Sequence, residues 1–125
     1  MILDTNCISA LLDGEESLED TLGLDDQHSV PTIVIGEYVF GLFGSRYKLR
    51  LFAALADFLD AATILAVTTE TAWHYAEIRH ELKLRGTPIP LNDLWIAALA
   101  RQHAMPIASR DAHFDHVAGI TRVGW

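Results

Sequence analysis

A chain of 125 residues, half of them apolar, has the size of one domain with a genuine hydrophobic core. It has no apolar run of about 18 residues, no secretory signal pattern and only one cysteine, which excludes a membrane span and an internal disulfide and predicts a single cytoplasmic domain over residues 1–125. The net charge of −8 argues mildly against a nucleic-acid partner, unless some acids gather at a metal ion and the few cations are grouped.

Strand and helix signals alternate from the beginning of the chain. The apolar run 1–3 predicts a short strand, and the helical spacing of apolar residues over 5–12 predicts a helix that Gly14 ends. The acidic stretch 15–26 is typical of a solvated helix and loop. The segment 28–30 predicts a second strand.

Two helices are predicted next. The first covers 33–43, with Thr32 as its N-cap and Gly41 and Gly44 marking its end. The second covers 47–61, because its apolar residues fall on one helical face. That face comprises Leu51, Leu55, Phe58 and Leu59. One group of cations lies at the start of this helix: Arg46, Lys48 and Arg50.

A strand, a long helix and a turn follow. Branched residues over 63–67 predict the strand. The helix is predicted over 69–85, with Gly86 in the favoured position just past its end and prolines in 87–90 that cannot continue it. Its expected buried positions include Trp73, Ala76 and Leu84. A second group of cations lies on it: Arg79, Lys83 and Arg85.

The last third of the chain predicts a helix over 91–99 and strands over 106–108 and 120–123. Alternating strands and helices are typical of an α/β fold with a mostly parallel sheet covered on both faces. Ligands of such folds bind at the carboxyl ends of the strands. Asp4 and Asp111 each follow a predicted strand, so they are expected at one edge if those strands are parallel neighbours.

Four acids are therefore candidates for a shared site: Asp4, Glu37, Asp93 and Asp111. Glu37 and Asp93 lie in or near the first turns of predicted helices and could reach the same edge. Four converging carboxylates repel one another unless a cation compensates, and oxygen ligands favour Mg²⁺ or Mn²⁺ over Zn²⁺. Such ions activate water and stabilise the leaving oxygen in phosphodiester cleavage.

Each acid also has a structural explanation. Asp4 could cap the helix that begins near Thr5, and Asp93 could cap its own helix, with Asn92 as a rival. Asp111 could be a turn residue. Glu37 lies in an otherwise apolar segment, where it is either exposed or buried for a purpose.

Four sequence motifs, each containing one of these acids, follow one another along the chain, and together they support a shared site better than any single motif does. They are L-D-T-N, G-E, P-L-N-D-L-W-I-A-A and I-A-S-R-D-A-H-F. The pattern spans nearly the whole chain and resembles the PIN-domain family and, within it, the VapC-type toxins of type II toxin–antitoxin pairs. The resemblance implies a PIN-like three-layer α/β/α sandwich with a mostly parallel central sheet. It also implies an endoribonuclease that hydrolyses RNA with Mg²⁺ or Mn²⁺ held by the four acids, a homodimer, and a small cognate antitoxin.

Further residues gain roles from the same resemblance. Thr5 and Asn6 match polar residues that orient the first acid or its metal waters, and Ser109 matches a Ser or Thr that supports the last acid. Asp115 could supplement Asp111, although a surface role is the better default.

Other side chains near these motifs have weaker claims. His113 is the histidine to test as a substrate contact, and Arg110 could hold a phosphate, although an ordinary exposed arginine is the default. Trp73, Tyr75 and Trp95 could stack on bases, but their helical spacing favours packing or a subunit interface.

Three other functions stay open at this point. One is a catalytically inactive PIN-like module that binds RNA or protein. Another is a structural protein whose acids are only caps, and the third is a PIN-fold enzyme that acts on DNA. RNA cleavage with Mg²⁺, Mn²⁺ and a chelator control separates the first from an enzyme.

Overall fold

The computed structural model describes residues 1–23 and 27–125. The described part contains one five-stranded sheet, in which all neighbouring strands are parallel and the order is β3-β2-β1-β4-β5. The strands are β1 (Ile2–Leu3), β2 (Ser29–Pro31), β3 (Thr63–Leu65), β4 (Ile107–Ala108) and β5 (Arg122–Val123). The predicted parallel α/β architecture is confirmed.

Six helices and one 3₁₀ turn connect the strands in the described residues. They are α1 (Thr5–Leu12), α2 (Glu16–Leu22), α3 (Thr32–Leu42), α4 (Lys48–Ala61), α5 (Thr69–Arg85), α6 (Leu91–His103) and the 3₁₀ turn Ala112–His116. Every helix predicted from the sequence is present. Residues 24–26, which end the predicted acidic helix and loop, lie outside the described residues. No helix in 1–23 or 27–125 is long and apolar enough to cross a membrane.

The central strands are covered on both faces. Ile2 and Leu3 of β1 are both 0% exposed, as are Ile107 and Ala108 of β4. Because consecutive strand side chains point to opposite faces, a strand this buried needs helices on either side of the sheet. Only the ends of such strands reach solvent, which directs polar side chains to the sheet edge.

Local end signals explain why α5 has the bounds predicted from the sequence. Thr68 and Thr71 form a reciprocal capping box at its start. Gly86 closes its end in the left-handed region, with φ 67°. Gly14 likewise has a positive φ of 78° just past α1, as its predicted role required.

The predicted start and end of α3 are wrong in detail. Thr32 is the first helical residue, and the N-cap is Pro31, which offers no side-chain hydrogen bond. Gly41 lies inside the helix, which continues to Leu42. Proline has a fixed φ suited to both strand and helix entry, so the chain passes from β2 directly into α3 without a polar cap.

The predicted buried face of α5 is also wrong. Trp73 and Leu84 are 70% and 74% exposed, and Ala76 is exposed with them. The buried residues are instead Thr71, Ile78 and Leu82, on the side that packs against α6. Tyr75 of α5 and Trp95 of α6 stack with ring centroids 4.0 Å apart, so these two aromatic rings contribute to the packing of α5 against α6.

Candidate active site

Asp4 and Asp111 lie at the same edge of the sheet because β1 and β4 are parallel neighbours. The register pairs Leu3 with Ala108, and the Asp4 backbone N–H extends the ladder by donating to the Ala108 carbonyl at 3.1 Å. Both acids also act as caps: Asp4 accepts from the Thr5 amide at 2.7 Å, and Asp111 accepts from the His113 amide at 2.9 Å. The structural explanations for these two acids are therefore correct, and they coexist with convergence at one edge.

Ser109 joins these two acids beneath the surface. Its hydroxyl donates to Asp4 Oδ2 at 2.6 Å and accepts from the Asp111 amide at 2.9 Å, and the residue is 0% exposed. Asn6 Nδ2 lies 3.3 Å from both Asp4 Oδ2 and Ser109 Oγ. Asn6 Oδ1 also accepts from the Arg110 amide at 3.2 Å. These bonds fix the positions of both carboxylates before any ligand arrives.

Asp93 enters the site from the first turn of α6. Neither Asp93 nor Asn92 is the N-cap of that helix, because Pro90 occupies the capping position. The Asp93 side chain is free of a capping role and is directed into the site, where the residue is 9% exposed. His113 Nδ1 lies 3.0 Å from Asp93 Oδ2 and 2.9 Å from Asp111 Oδ1. One imidazole therefore bridges two of the predicted acids.

Burial and crowding raise the pKa values of the inner acids. Burial raises the pKa of Asp93 from its ordinary 3.8 to about 6, opposed by the His113 hydrogen bond and reinforced by the charges of Asp4 and Asp111. Burial also raises the pKa of Asp4, with hydrogen bonds from Ser109 and Thr5 opposing it and the charges of Glu37 and Asp111 adding to it. The hydrogen bond to Asp93 raises the pKa of His113. The cluster is thus electrostatically unfavourable without a compensating cation.

Glu37 completes the cluster from α3. Thr5 Oγ1 donates to Glu37 Oε1 at 3.2 Å, and the same residue's amide binds Asp4, so Thr5 links the two acids. Glu37 is half-buried in a helix whose other half-buried and buried residues are apolar. The structure therefore brings together the four acids and three supporting polar residues named from the sequence.

The remaining candidate residues, Asp115 and Arg110, form ion pairs outside the cluster of four acids. Asp115 is exposed and forms a two-pronged ion pair with Arg122, with both N–O distances 2.9 Å. Arg110 pairs with Glu15, and its guanidinium lies 4.7 Å from the centre of the Trp125 ring. Glu15 was not singled out from the sequence, because an acid in an acidic stretch carries no signal of a distant arginine partner.

The donor set suits a hard divalent cation. Ligand atoms of Asp93, Asp111 and His113 lie within 4.8 Å of one another, and the linked carboxylates of Asp4 and Glu37 add oxygen donors. Carboxylate oxygens are the ligands that Mg²⁺ and Mn²⁺ prefer. A cation here would favour the ionised forms of Asp4 and Asp93, whose pKa values are raised chiefly by burial and further by neighbouring negative charges.

Comparisons with known proteins agree with this geometry. The PIN domain family model matches residues 1–120. Ribonuclease VapC2 of Haemophilus influenzae is 33% identical over 97 residues, covering 77% of this chain and 74% of its own. The tRNA(fMet)-specific endonuclease VapC of Salmonella typhimurium is 27% identical over 127 residues, covering 99% and 96%. A crystal structure of DNA-bound VapBC from Salmonella typhimurium superposes with a TM-score of 0.88 at 27% identity, covering 99% of this chain and 96% of that one.

Proposed function

The chain belongs to the PIN-domain family, and on that premise we propose that it is a metal-dependent endoribonuclease that hydrolyses RNA phosphodiester bonds. The observation that carries the proposal is the convergence of Asp4, Glu37, Asp93 and Asp111 from four separate segments at one sheet edge. Curated relatives named ribonucleases support RNA as the substrate class.

The four acids are the proposed ligands for Mg²⁺ or Mn²⁺. When bound, the ion supplies a water of lowered pKa and stabilises negative charge on the phosphate and its leaving oxygen. Mg²⁺ retains several waters and needs few protein carboxylates, which suits a cluster that opens to solvent through half-exposed His113.

The polar residues around the acids hold them in position. Ser109 directs Asp4 Oδ2, and Thr5 directs both Asp4 Oδ1 and Glu37 Oε1. Asn6 adds a second contact to Asp4. Outer hydrogen bonds of this kind fix ligand orientation, and their loss typically costs about 10- to 100-fold in metal affinity or activity.

We extend the proposal to partners and location. The similar Salmonella structure is of DNA-bound VapBC, and on that likeness we propose a small cognate antitoxin as the partner and a homodimer as the assembly. Co-purification with the product of an adjacent small gene tests the first, and light scattering of the purified chain tests the second. An RNA substrate together with an antitoxin implies a cytoplasmic location.

A cleavage assay on a mixed RNA pool tests the function. The purified chain should cut RNA with Mg²⁺ or Mn²⁺ and leave it intact with a chelator. Asp4→Asn should abolish cleavage, whereas Asp57→Asn, the same chemical change on an exposed residue of α4, should not. RNA that stays whole in every lane would instead identify a binding module, a function that no contact in the described residues favours.

A further inference from the structure

The longest stretch of this acidic chain without an acid lies beside the active site. Residues 38–56 contain no Asp or Glu and include Arg46, Lys48 and Arg50, although the whole chain has a net charge of −8. We call these three cations the basic strip. A local concentration of positive charge on a negative protein marks the position where a polyanion is attracted most strongly.

The basic strip is exposed and available. None of its three residues forms an ion pair within the described residues, and all three are exposed. The guanidinium groups of Arg46 and Arg50 lie 4.9 and 5.5 Å from the centre of the Tyr47 ring, which holds them close together. Lys48 and Arg50 also occupy the first turn of α4, where the helix dipole favours acids. The helix dipole therefore does not explain why cations occupy this position.

Exposed aromatic side chains lie next to the strip. Phe40 and Phe43, at the end of α3, are 78% and 67% exposed, and Tyr47 is 50% exposed. Phe43 also packs against Phe52, with ring centroids 6.1 Å apart and the rings tilted by 58°. Proteins that bind single-stranded nucleic acid combine cations, which contact the phosphates, with exposed aromatic side chains, on which the bases stack.

A cavity lies between the catalytic acid Glu37 and α4, the helix whose first turn carries Lys48 and Arg50. Its volume is about 250 Å³, and its lining includes Thr5 and Glu37 of the active site, Asp13, and Leu51, which follows Arg50 in the chain. Tyr38 also lines it; burial and the charge of Asp13 raise the pKa of its hydroxyl, and the charge of Arg50 opposes that rise, so both Asp13 and Arg50 act on this wall of the cavity. The strip's helix and the catalytic Glu37 therefore border the same cavity.

We propose that the basic strip, with Phe40 and Phe43, holds the single-stranded RNA substrate on one side of the cleavage point. The strip contacts phosphates and the two phenylalanines contact bases, so the surface contributes affinity without selecting sequence. The proposal rests on the proposed ribonuclease function, since RNA is the polyanion that the active site would cleave. It also explains how a protein of net charge −8 retains RNA.

The test compares two triple variants of equal charge change in an Asp4→Asn background, where RNA is not cut. Arg46→Gln/Lys48→Gln/Arg50→Gln removes the strip, and Arg79→Gln/Lys83→Gln/Arg85→Gln removes three cations from α5. Binding of a short labelled single-stranded RNA is followed by fluorescence anisotropy at several salt concentrations. The strip variant should bind about tenfold more weakly, and the slope of log Kd against log salt should fall by about 2, at about 0.7 per phosphate contact on single strands.

The control variant should keep the parental affinity within about twofold and the parental slope. Equal losses in both variants would overturn the proposal, because they would show a general charge effect. An unchanged RNA affinity with altered self-association or antitoxin binding would also overturn it and assign the strip to a protein. Lys48→Gln alone, which removes one exposed positive charge, should lower the slope by about 0.7 and covers the case in which the triple variant folds poorly.

Failure of this RNA-binding surface can be distinguished from failure of the proposed ribonuclease function. If the wild-type protein cleaves no RNA while the strip still determines RNA affinity, the nuclease fails and the binding surface stands. If the wild type cleaves RNA and the strip variant binds it unchanged, only this inference fails.

Discussion

Replacing Asp93 by asparagine should stabilise the metal-free protein while abolishing its activity. Asp93 is 9% exposed, and its pKa is raised from 3.8 to about 6, chiefly by burial. At 1.36 kcal/mol for each factor of ten in the ionisation constant, the ionised carboxylate costs the folded state about 3 kcal/mol at neutral pH. Asparagine has nearly the same shape without the charge. Burying the asparagine amide has a cost of its own, which offsets part of the roughly 3 kcal/mol and leaves about 1 to 2 kcal/mol of net stabilisation.

The pH dependence of this effect has a definite sign. Folded Asp93 keeps its proton up to about pH 6, whereas an unfolded aspartate releases it near 3.8. Asp93 therefore makes the wild-type protein lose stability as the pH rises through this window, and the variant lacks this contribution. The difference in Tm, variant minus wild type, should be smallest near pH 4 and reach about 3 to 8 °C near pH 7.

Thermal unfolding with a chelator and with Mn²⁺ measures both parts of this prediction. Mn²⁺ should raise the Tm of the wild type, because a ligand at about 100 times its Kd stabilises by about 2.7 kcal/mol, and should raise that of Asp93→Asn much less. Asp57→Asn serves as the exposed control and should follow the wild type throughout. A variant that melts below the wild type in chelator at neutral pH, or that gains as much from Mn²⁺, would refute the electrostatic account of the cluster.

Three further predictions follow from individual contacts. Ser109→Ala should lower RNA cleavage about 10- to 100-fold, because Asp4 loses its 2.6 Å hydrogen bond, and Ser109→Thr should restore most of the rate; equal rates for both variants would contradict this role. Asp115→Asn should leave the cleavage rate within about twofold, since its carboxylate is paired with Arg122; a loss of tenfold or more would bring it into the site. Leu99→Ala should cost about 2 to 5 kcal/mol in denaturant unfolding, because Leu99 is 0% exposed, while exposed Trp73→Ala should cost about 0.5 kcal/mol or less; similar losses would contradict the burial pattern.

The sequence was sufficient to predict that Asp4 and Asp111 meet at one sheet edge on the condition that their strands are parallel neighbours. Asp4 and Asp111 follow short apolar runs, and parallel strands place their carboxyl ends together whenever they are neighbours. The strand order itself was not predictable from spacing alone. The supporting roles of Thr5, Asn6 and Ser109 came from the family pattern, since nothing in the local sequence shows which distant carboxylate a hydroxyl contacts.

The buried face of α5 could not be predicted, for a physical reason. The helix has apolar residues on two faces, one with Ile78 and Leu82 and another with Trp73 and Leu84. Periodicity cannot choose between two such stripes, because the choice depends on where α6 packs. The bridging position of His113 escaped prediction for a similar reason. Its neighbour Asp111 is close in sequence, but Asp93 is brought to it only by the tertiary fold.

The most direct test of the metal centre is the anomalous scattering of crystals grown with Mn²⁺. We expect an anomalous peak within bonding distance of the carboxylates of Asp4 and Asp93, with Asp111 and Glu37 in direct or water-mediated contact with the ion. The peak should be absent from Asp4→Asn crystals grown in the same solution. Full Mn²⁺ occupancy elsewhere on the protein, with no peak among the four acids, would contradict it.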